Sequence, residues 1–286
     1  MACGGAAPEE KRSCEAAMGR ATPEDRPAAG QGPIGVQGYL AGVISAETRG
    51  HVALVTIDRP DRRNAVDRAA LEELAAALDA AGDEVRALVL TGGGGHFCAG
   101  ADLSGVEDGA FAGLLRVVLD GLRLAPFVTI AAADGAALGA GTQLALACDL
   151  RVATPSASFG IPAARLGLAV DSWTVERLAL LAGHGPARAM LLAAEVLKGD
   201  EAHRLGLVQR LGTLDDALAW ADEVAALAPL TIRAHKAALE SLGSLEDRGV
   251  ADAGVQAALG RAWSSDDLRE GLAAFRERRR PLFHGR

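Results

Sequence analysis

Two short runs of small residues offer this chain its chemistry. Four glycines, Gly92 to Gly95, follow the apolar run Val85–Leu90 and lead into His96-Phe97-Cys98-Ala99-Gly100-Ala101-Asp102. About forty residues further on, a second run reads Asp134-Gly135-Ala136-Ala137-Leu138-Gly139-Ala140-Gly141-Thr142-Gln143. Each leads from a strand toward a helix, and such turns can present unpaired backbone N–H groups. Two of them aimed at one point can bind the oxygen of a polarised carbonyl. A helix opening at Gly139–Gly141 would add its positive end, which suits an enolate oxygen. Both runs also have plain structural uses. Glycine alone makes a surface loop, and Gly and Ala permit close helix–strand packing. The apolar Phe97-Cys98-Ala99 and the potential N-cap Asp102 argue that the first loop is anchored rather than loose.

Other chemistries fit poorly. A phosphate-cradling loop needs Lys-Ser or Lys-Thr after its last glycine, and neither follows. The dinucleotide fingerprint needs a spacing that neither run has. The four cysteines, Cys3, Cys14, Cys98 and Cys148, form no CxxC, and there is no HExxH, so no metal site is expected. Among isolated polar residues, Asp171 can cap a helix beginning at Trp173 or pair with Arg177. His184 reads as a helix-start residue and His96 as a solvated loop histidine. Arg276 to Arg280 reads as a charged helix end, and Trp173 and Phe159 as core or pocket wall.

The elements that must position these residues are legible in outline. Residues 1–36 are rich in Ala, Gly, Pro and charge, read as a disordered extension, and contain an alternative start at Met18. A strand is predicted at Val52–Ile57, a helix capped by Asp67 through about Ala80, and a buried strand at Arg86–Leu90. A helix at 109–124, a strand at Phe127–Ala131, a helix at Gly141–Ala147, and strands at Leu150–Ala153 and 157–159 follow. From Trp173 the pattern turns helical, over 174–181, 186–192, 201–205, 214–228, 230–242 and 252–279. This gives an α/β core at about 42–210 and a helical region at 211–286.

Half of the 286 residues are hydrophobic, so a large core is possible, and the formal net charge is −8. An acidic chain with 3% aromatic residues lacks the field and the stacking surfaces of a nucleic-acid binder. Asp134, Asp149 and Arg151 interrupt the most apolar region before it reaches the roughly 20 residues of a membrane span. Unpaired thiols and the lack of a secretory pattern suit a cytoplasmic protein.

Several ordered motifs, taken together, resemble the enoyl-CoA hydratase/isomerase family, the crotonase fold, over about residues 45–280. They are Val55-Thr56-Ile57-Asp58-Arg59-Pro60 with Arg63-Asn64-Ala65, Ala87-Leu88-Val89-Leu90-Thr91-Gly92, and Phe97-Cys98-Ala99-Gly100-Ala101-Asp102-Leu103. Gly135 to Asp149, Pro162 to Gly167, and Gly206-Leu207-Val208 complete the set. The resemblance implies a ClpP-like spiral of ββα units with C-terminal helices that close a homotrimer, often a dimer of trimers. It implies an acyl-CoA thioester whose carbonyl lies between the N–H groups of Ala99 and Ala140. Coenzyme A would lie along Arg62, Arg63, Asn64 and Ala65 and along Ala99, Gly100, Ala101 and Asp102, with Gly139 and Ala140 at the thioester. No separate cofactor is implied, because coenzyme A enters as part of the ligand.

The departures from the pattern bear on function. A hydratase of this family uses two glutamates, one to activate water and one to handle the α-carbon proton. The first of those positions here is Gln143 and the second is Ala163. Neither can exchange a proton usefully, and each such transfer is worth about 10²–10⁴-fold. Asp171 matches the second acid of the dienoyl-CoA isomerases, although their partner glutamate would stand at Ala163. The segments Gly183–Leu192 and Asp171-Ser172-Trp173 resemble an actinobacterial, hydratase-like branch that binds long acyl-CoA and is associated with mycolic-acid precursors. The expectation is therefore acyl-CoA binding with little hydratase activity. An active hydratase, or an isomerase using Asp171, is the alternative.

Overall fold

The computed structural model describes residues 37–102, 110–242, 260, 263–279 and 281. The expected extension 1–36, Met18, Leu103, residues 252–259 of the last predicted helix and Arg280 of the basic cluster lie outside them. Among the described residues ten strands make two sheets. β1 (Gln37–Ala41), β2 (Ile44–Arg49) and β3 (Val52–Ile57) form an antiparallel meander. The same sheet continues in parallel from β3 through β4 (Ala87–Gly92), β5 (Val128–Ala133), β7 (Leu150–Ala153) and β10 (Arg210–Leu211). A small second sheet joins β6 (Ala136–Leu138), β8 (Ser158–Gly160) and β9 (Val196–Lys198). All six residues of β5 are buried, which suits a central parallel strand covered on both faces.

Helices supply the two covers. α1 (Arg68–Asp79) is capped by Asp67, whose carboxylate accepts from the Ala70 N–H at 2.9 Å, and it buries Leu71, Leu74 and Leu78 as expected. α2 (Ala110–Leu124) turns Phe111, Leu115, Val118 and Leu122 inward. α3 (Ala140–Ala147) is buried along its whole length. α4 (Ser172–Ala182), α5 (His184–Leu192) and α6 (Gly199–Arg204) follow. α7 (Leu214–Ala225) lays Ala217, Ala221 and Val224 on the opposite face of the large sheet, against Val89, Val128 and Ile130. α8 (Pro229–Leu242) and α9 (Asp266–Arg276) complete the described chain. The α/β core and the helical region belong to one compact unit.

α3 is fixed at both ends. At its N-terminus the Thr142 hydroxyl lies 2.6 Å from the Ala137 carbonyl and 2.8 Å from that of Gly160, tying the helix to β6 and β8. At its C-terminus the buried Arg151 guanidinium donates to the carbonyls of Ala145 (3.0 Å) and Cys148 (2.7 Å). A cation there complements the helix dipole. Burial lowers the Arg151 pKa to about 10, so the group is still charged near neutral pH.

Candidate functional site

The chain from Phe97 to Asp102 is zipped between two neighbours. On one side the Phe97 N–H donates to Asp134 O, the Cys98 N–H to Ala136 O, and the Leu138 N–H to Cys98 O, all at 2.8–2.9 Å. On the other, the Val66 N–H donates to Gly100 O (2.9 Å) and the Asp102 N–H to Val66 O (2.8 Å). The Ala99 N–H donates to Arg63 O at 3.0 Å. This corrects the expectation for Ala99, because an amide spent on a neighbouring loop cannot also hold a ligand. The Ala101 N–H has no acceptor among the described residues. In a trans peptide the N–H points opposite to the preceding C=O. Since Gly100 O faces Val66, the Ala101 N–H faces the other way, toward α3.

Ala140 meets it there. It is the first residue of α3, and Gly139 before it has φ 53° and ψ −117° and supplies no side-chain cap. The Gly139 carbonyl accepts from the Gln143 N–H at 3.1 Å, so the Ala140 N–H points out of the helix end. A Cβ built on Gly100 would lie 3.9 Å from the Ala140 nitrogen, which shows how closely the two segments pass. Gly100 itself has φ 117°, a conformation that favours glycine. Two amides and the positive end of a helix therefore face one cavity of about 750 Å³, lined by Gly100, Ala101, Gly139 and Ala140 among others.

The side chains around that cavity are mostly apolar. Phe111, Leu115 and Leu119 of α2 form one wall, and Ala163 and Leu166, in the 3-10 turn Pro162–Leu166, contribute to another. Gln143 lines the cavity at 8% exposure, with its Oε1 accepting from the Thr174 hydroxyl at 3.3 Å. Among the described lining residues Asp171 carries the one carboxylate. Both of its oxygens are engaged. Oδ1 caps α4 by accepting from the Thr174 N–H (2.9 Å), and Oδ2 pairs with Arg116 Nη1 (3.4 Å). Arg116 also lies 5.6 Å from the centre of the Trp173 ring. Asp120 holds Arg116 through Nε at 2.8 Å. Burial pushes the Asp120 carboxyl up, but hydrogen bonds from Arg116 and Arg123 outweigh it and keep the pKa low.

The enoyl-CoA hydratase/isomerase family model matches residues 47–286. The chain belongs to the enoyl-CoA hydratase/isomerase family. A probable enoyl-CoA hydratase, echA6, of Mycobacterium tuberculosis is 44% identical over 248 residues, covering 86% of this chain and all of the relative. The solved structure of EchA1_1 from Mycobacterium paratuberculosis is 34% identical, with a TM-score of 0.74 over 86% of this chain and all of that one. Methylmalonyl-CoA decarboxylase in complex with 2-nitronate-propionyl-CoA superposes with a TM-score of 0.78 at 22% identity, covering 86% of this chain and all of that one. That likeness is one of fold alone. Together these matches place the chain in a family of acyl-CoA metabolism with the crotonase fold.

Within this family frame, the residues expected along coenzyme A divide. Arg62 and Arg63 are exposed, Arg63 with φ 50°, and Ala65 is half-buried. Asn64 is different. It is fully buried, accepts from the Arg59 N–H (2.8 Å), and donates to Gly93 O (2.7 Å) and His96 O (2.5 Å). Its amide is used up in tying the Arg59–Ala65 loop to the glycine loop, so it does not serve a ligand directly. Asp102 pairs with Arg59 at 3.3 Å rather than facing the cavity. His96 is a brace, its Nδ1 accepting from the Ala136 N–H at 3.1 Å. His184 is exposed at the start of α5. Asp149 is structural, its Oδ2 taking the Thr129 N–H, the Thr129 hydroxyl and the buried Lys236 ammonium at 2.7–3.0 Å. Trp173 packs on the core and Phe159 is within it. Two residues of the site, Arg116 and Thr174, escaped the sequence reading. Arg116 and Asp120 stand one turn apart beside the apolar face of Phe111, Leu115, Val118 and Leu122, and that charged pair flanking a buried stripe is the signal that could have found Arg116.

Proposed function

We propose that this chain binds acyl-CoA thioesters, with the carbonyl oxygen between the amides of Ala101 and Ala140, and hydrates them little or not at all. The observation that carries the reading is the lining of the cavity beside those amides, where Gln143 and Ala163 supply no carboxylate. A water molecule attacking a conjugated double bond needs a base, and the α-carbon needs a proton donor. Gln143 offers neither, and Asp171 is tied up as a helix cap and ion-pair partner. Titration with a saturated acyl-CoA should give saturable binding and raise thermal stability with the logarithm of ligand concentration above Kd. An ester that neither binds nor stabilises would reject the proposal.

A second reading keeps one catalytic group. Asp171 lines the cavity, and a single carboxylate can move one proton in a double-bond shift. Under it, Asp171→Asn abolishes double-bond migration while acyl-CoA still binds. Absence of migration in the parent protein disposes of this reading. The proposal extends to assembly in the cytoplasm as a homotrimer or a dimer of trimers. Support comes from apolar side chains left outside on the C-terminal helices, with Leu230 76% and Leu239 63% exposed. No helix of the described residues is long and apolar enough to cross a membrane. A monomeric mass for the 29.2 kDa chain in light scattering would refute the assembly.

A further inference from the structure

We propose that the cavity selects acyl thioesters bearing an oxygen on C3, 3-oxoacyl-CoA above all, through the side-chain amide of Gln143. The inference rests on the acyl-thioester reading above and names its ligand class. Gln143 is 92% buried by the complement of its exposure, lines the cavity, and has one fixed partner, the Thr174 hydroxyl. That hydroxyl is itself fully buried, and the Gln143 Oε1 is its one acceptor among the described residues. Turning the Gln143 amide over would set an N–H₂ against the hydroxyl oxygen and leave the hydroxyl proton unpaired in the core. The amide is therefore oriented with its oxygen toward α4 and its nitrogen toward the lumen. Nε2 has no acceptor among the described residues, yet it is not sealed away from the cavity. Water can satisfy this donor in the open cavity, but a ligand that displaces the water without offering an acceptor leaves the donor unpaired, and a ligand acceptor avoids that cost.

The register along α3 says which ligand atom meets it. Gln143 stands three residues after Ala140, close to one turn along the same face, an axial rise of about 4.5 Å. A thioester oxygen at the Ala140 amide puts the next two carbons of the acyl chain along this stretch. A saturated chain shows a methylene to the amide and leaves it unpaired. A 3-oxo group is acceptor-only and completes it. Ala163, small where the family's hydratases carry a glutamate, leaves this side of the cavity without a competing carboxylate oxygen.

The test is a direct titration of the full chain with a saturated and a 3-oxoacyl-CoA of the same length. The 3-oxo ester should bind about three- to tenfold more tightly, the worth of one hydrogen bond to a buried donor. In Gln143→Met the ratio of the two affinities should fall to about one, and in Gln143→Glu below one, since a carboxylate repels the ligand oxygen. Thr174→Val, which frees the amide to turn, should lower the ratio, and Thr174→Ser should restore it. Equal affinities in the parent protein overturn this inference and leave acyl-CoA binding standing. If neither ester binds, both fall. The parent comparison decides alone where a variant does not fold.

Discussion

Asn64 has no atom to spare for a ligand, and its value is in what it holds. Its side chain makes three hydrogen bonds in a fully buried setting, and its backbone has φ 59°, a conformation Asn tolerates better than most residues. Asn64→Ala should cost about 2–4 kcal/mol in urea denaturation, because the half-buried carbonyls of Gly93 and His96 and the Arg59 N–H lose their partner. A loss under about 0.5 kcal/mol would show that the loop does not depend on it. Two buried thiols make a pH prediction. Burial pushes Cys98 and Cys148 from 9.0 up to about 12. Their contribution is fully present below pH 9 and is lost as pH rises toward 12, where the unfolded thiols ionise and the folded ones do not. Stability should fall by up to about 1.4 kcal/mol per pH unit for each thiol across that window. Cys→Ala at both positions should flatten the decline. The types at 143 and 163 were legible in the sequence through the order of the motifs around them. The choice between Ala99 and Ala101 was not. Which amide is left unpaired depends on Arg63 and Val66, more than thirty residues away, taking the carbonyls and N–H groups between.

At the scale of elements, α3 carries the site. Gly141 has no room for a side chain, since a Cβ there would run into the Cys98 carbonyl oxygen. Gly141→Ala must push α3 off the 97–102 segment and so separate the Ala140 amide from Ala101. The expected result is a loss of at least about 2 kcal/mol in stability together with loss of acyl-CoA binding. Unimpaired binding by a folded Gly141→Ala variant would mean that the two segments need not pass so closely. The helices and central strands are readable because their patterns are intrinsic: Leu71, Leu74 and Leu78 keep a helical period, and β4 and β5 are mostly apolar, each broken only by small polar or glycine residues. The meander β1–β2 was missed. β2 sinks one residue fully, Ile44, leaves the next four half-covered and exposes Arg49, so no alternation stands out. In sequence β6 reads as part of a turn, because Ala136-Ala137-Leu138 has weak strand propensity and is made a strand by its partners β8 and Cys98.

On the scale of the whole molecule, the large sheet, its two helical covers and the small sheet exist to bring two chain segments some forty residues apart into one amide pair. The family accounts for the fold, and the resemblance anticipated that architecture from ordered motifs alone. On the proposed reading, what the molecule does with a thioester turns on the side chains beside the amide pair. The most direct test is the absorbance of the conjugated double bond of crotonyl-CoA incubated with the purified full chain. The account predicts that the absorbance persists while the protein binds the ester, and that introducing Glu at both 143 and 163 makes it decay. Rapid loss of absorbance with the unaltered chain would contradict the account and make the protein a working hydratase.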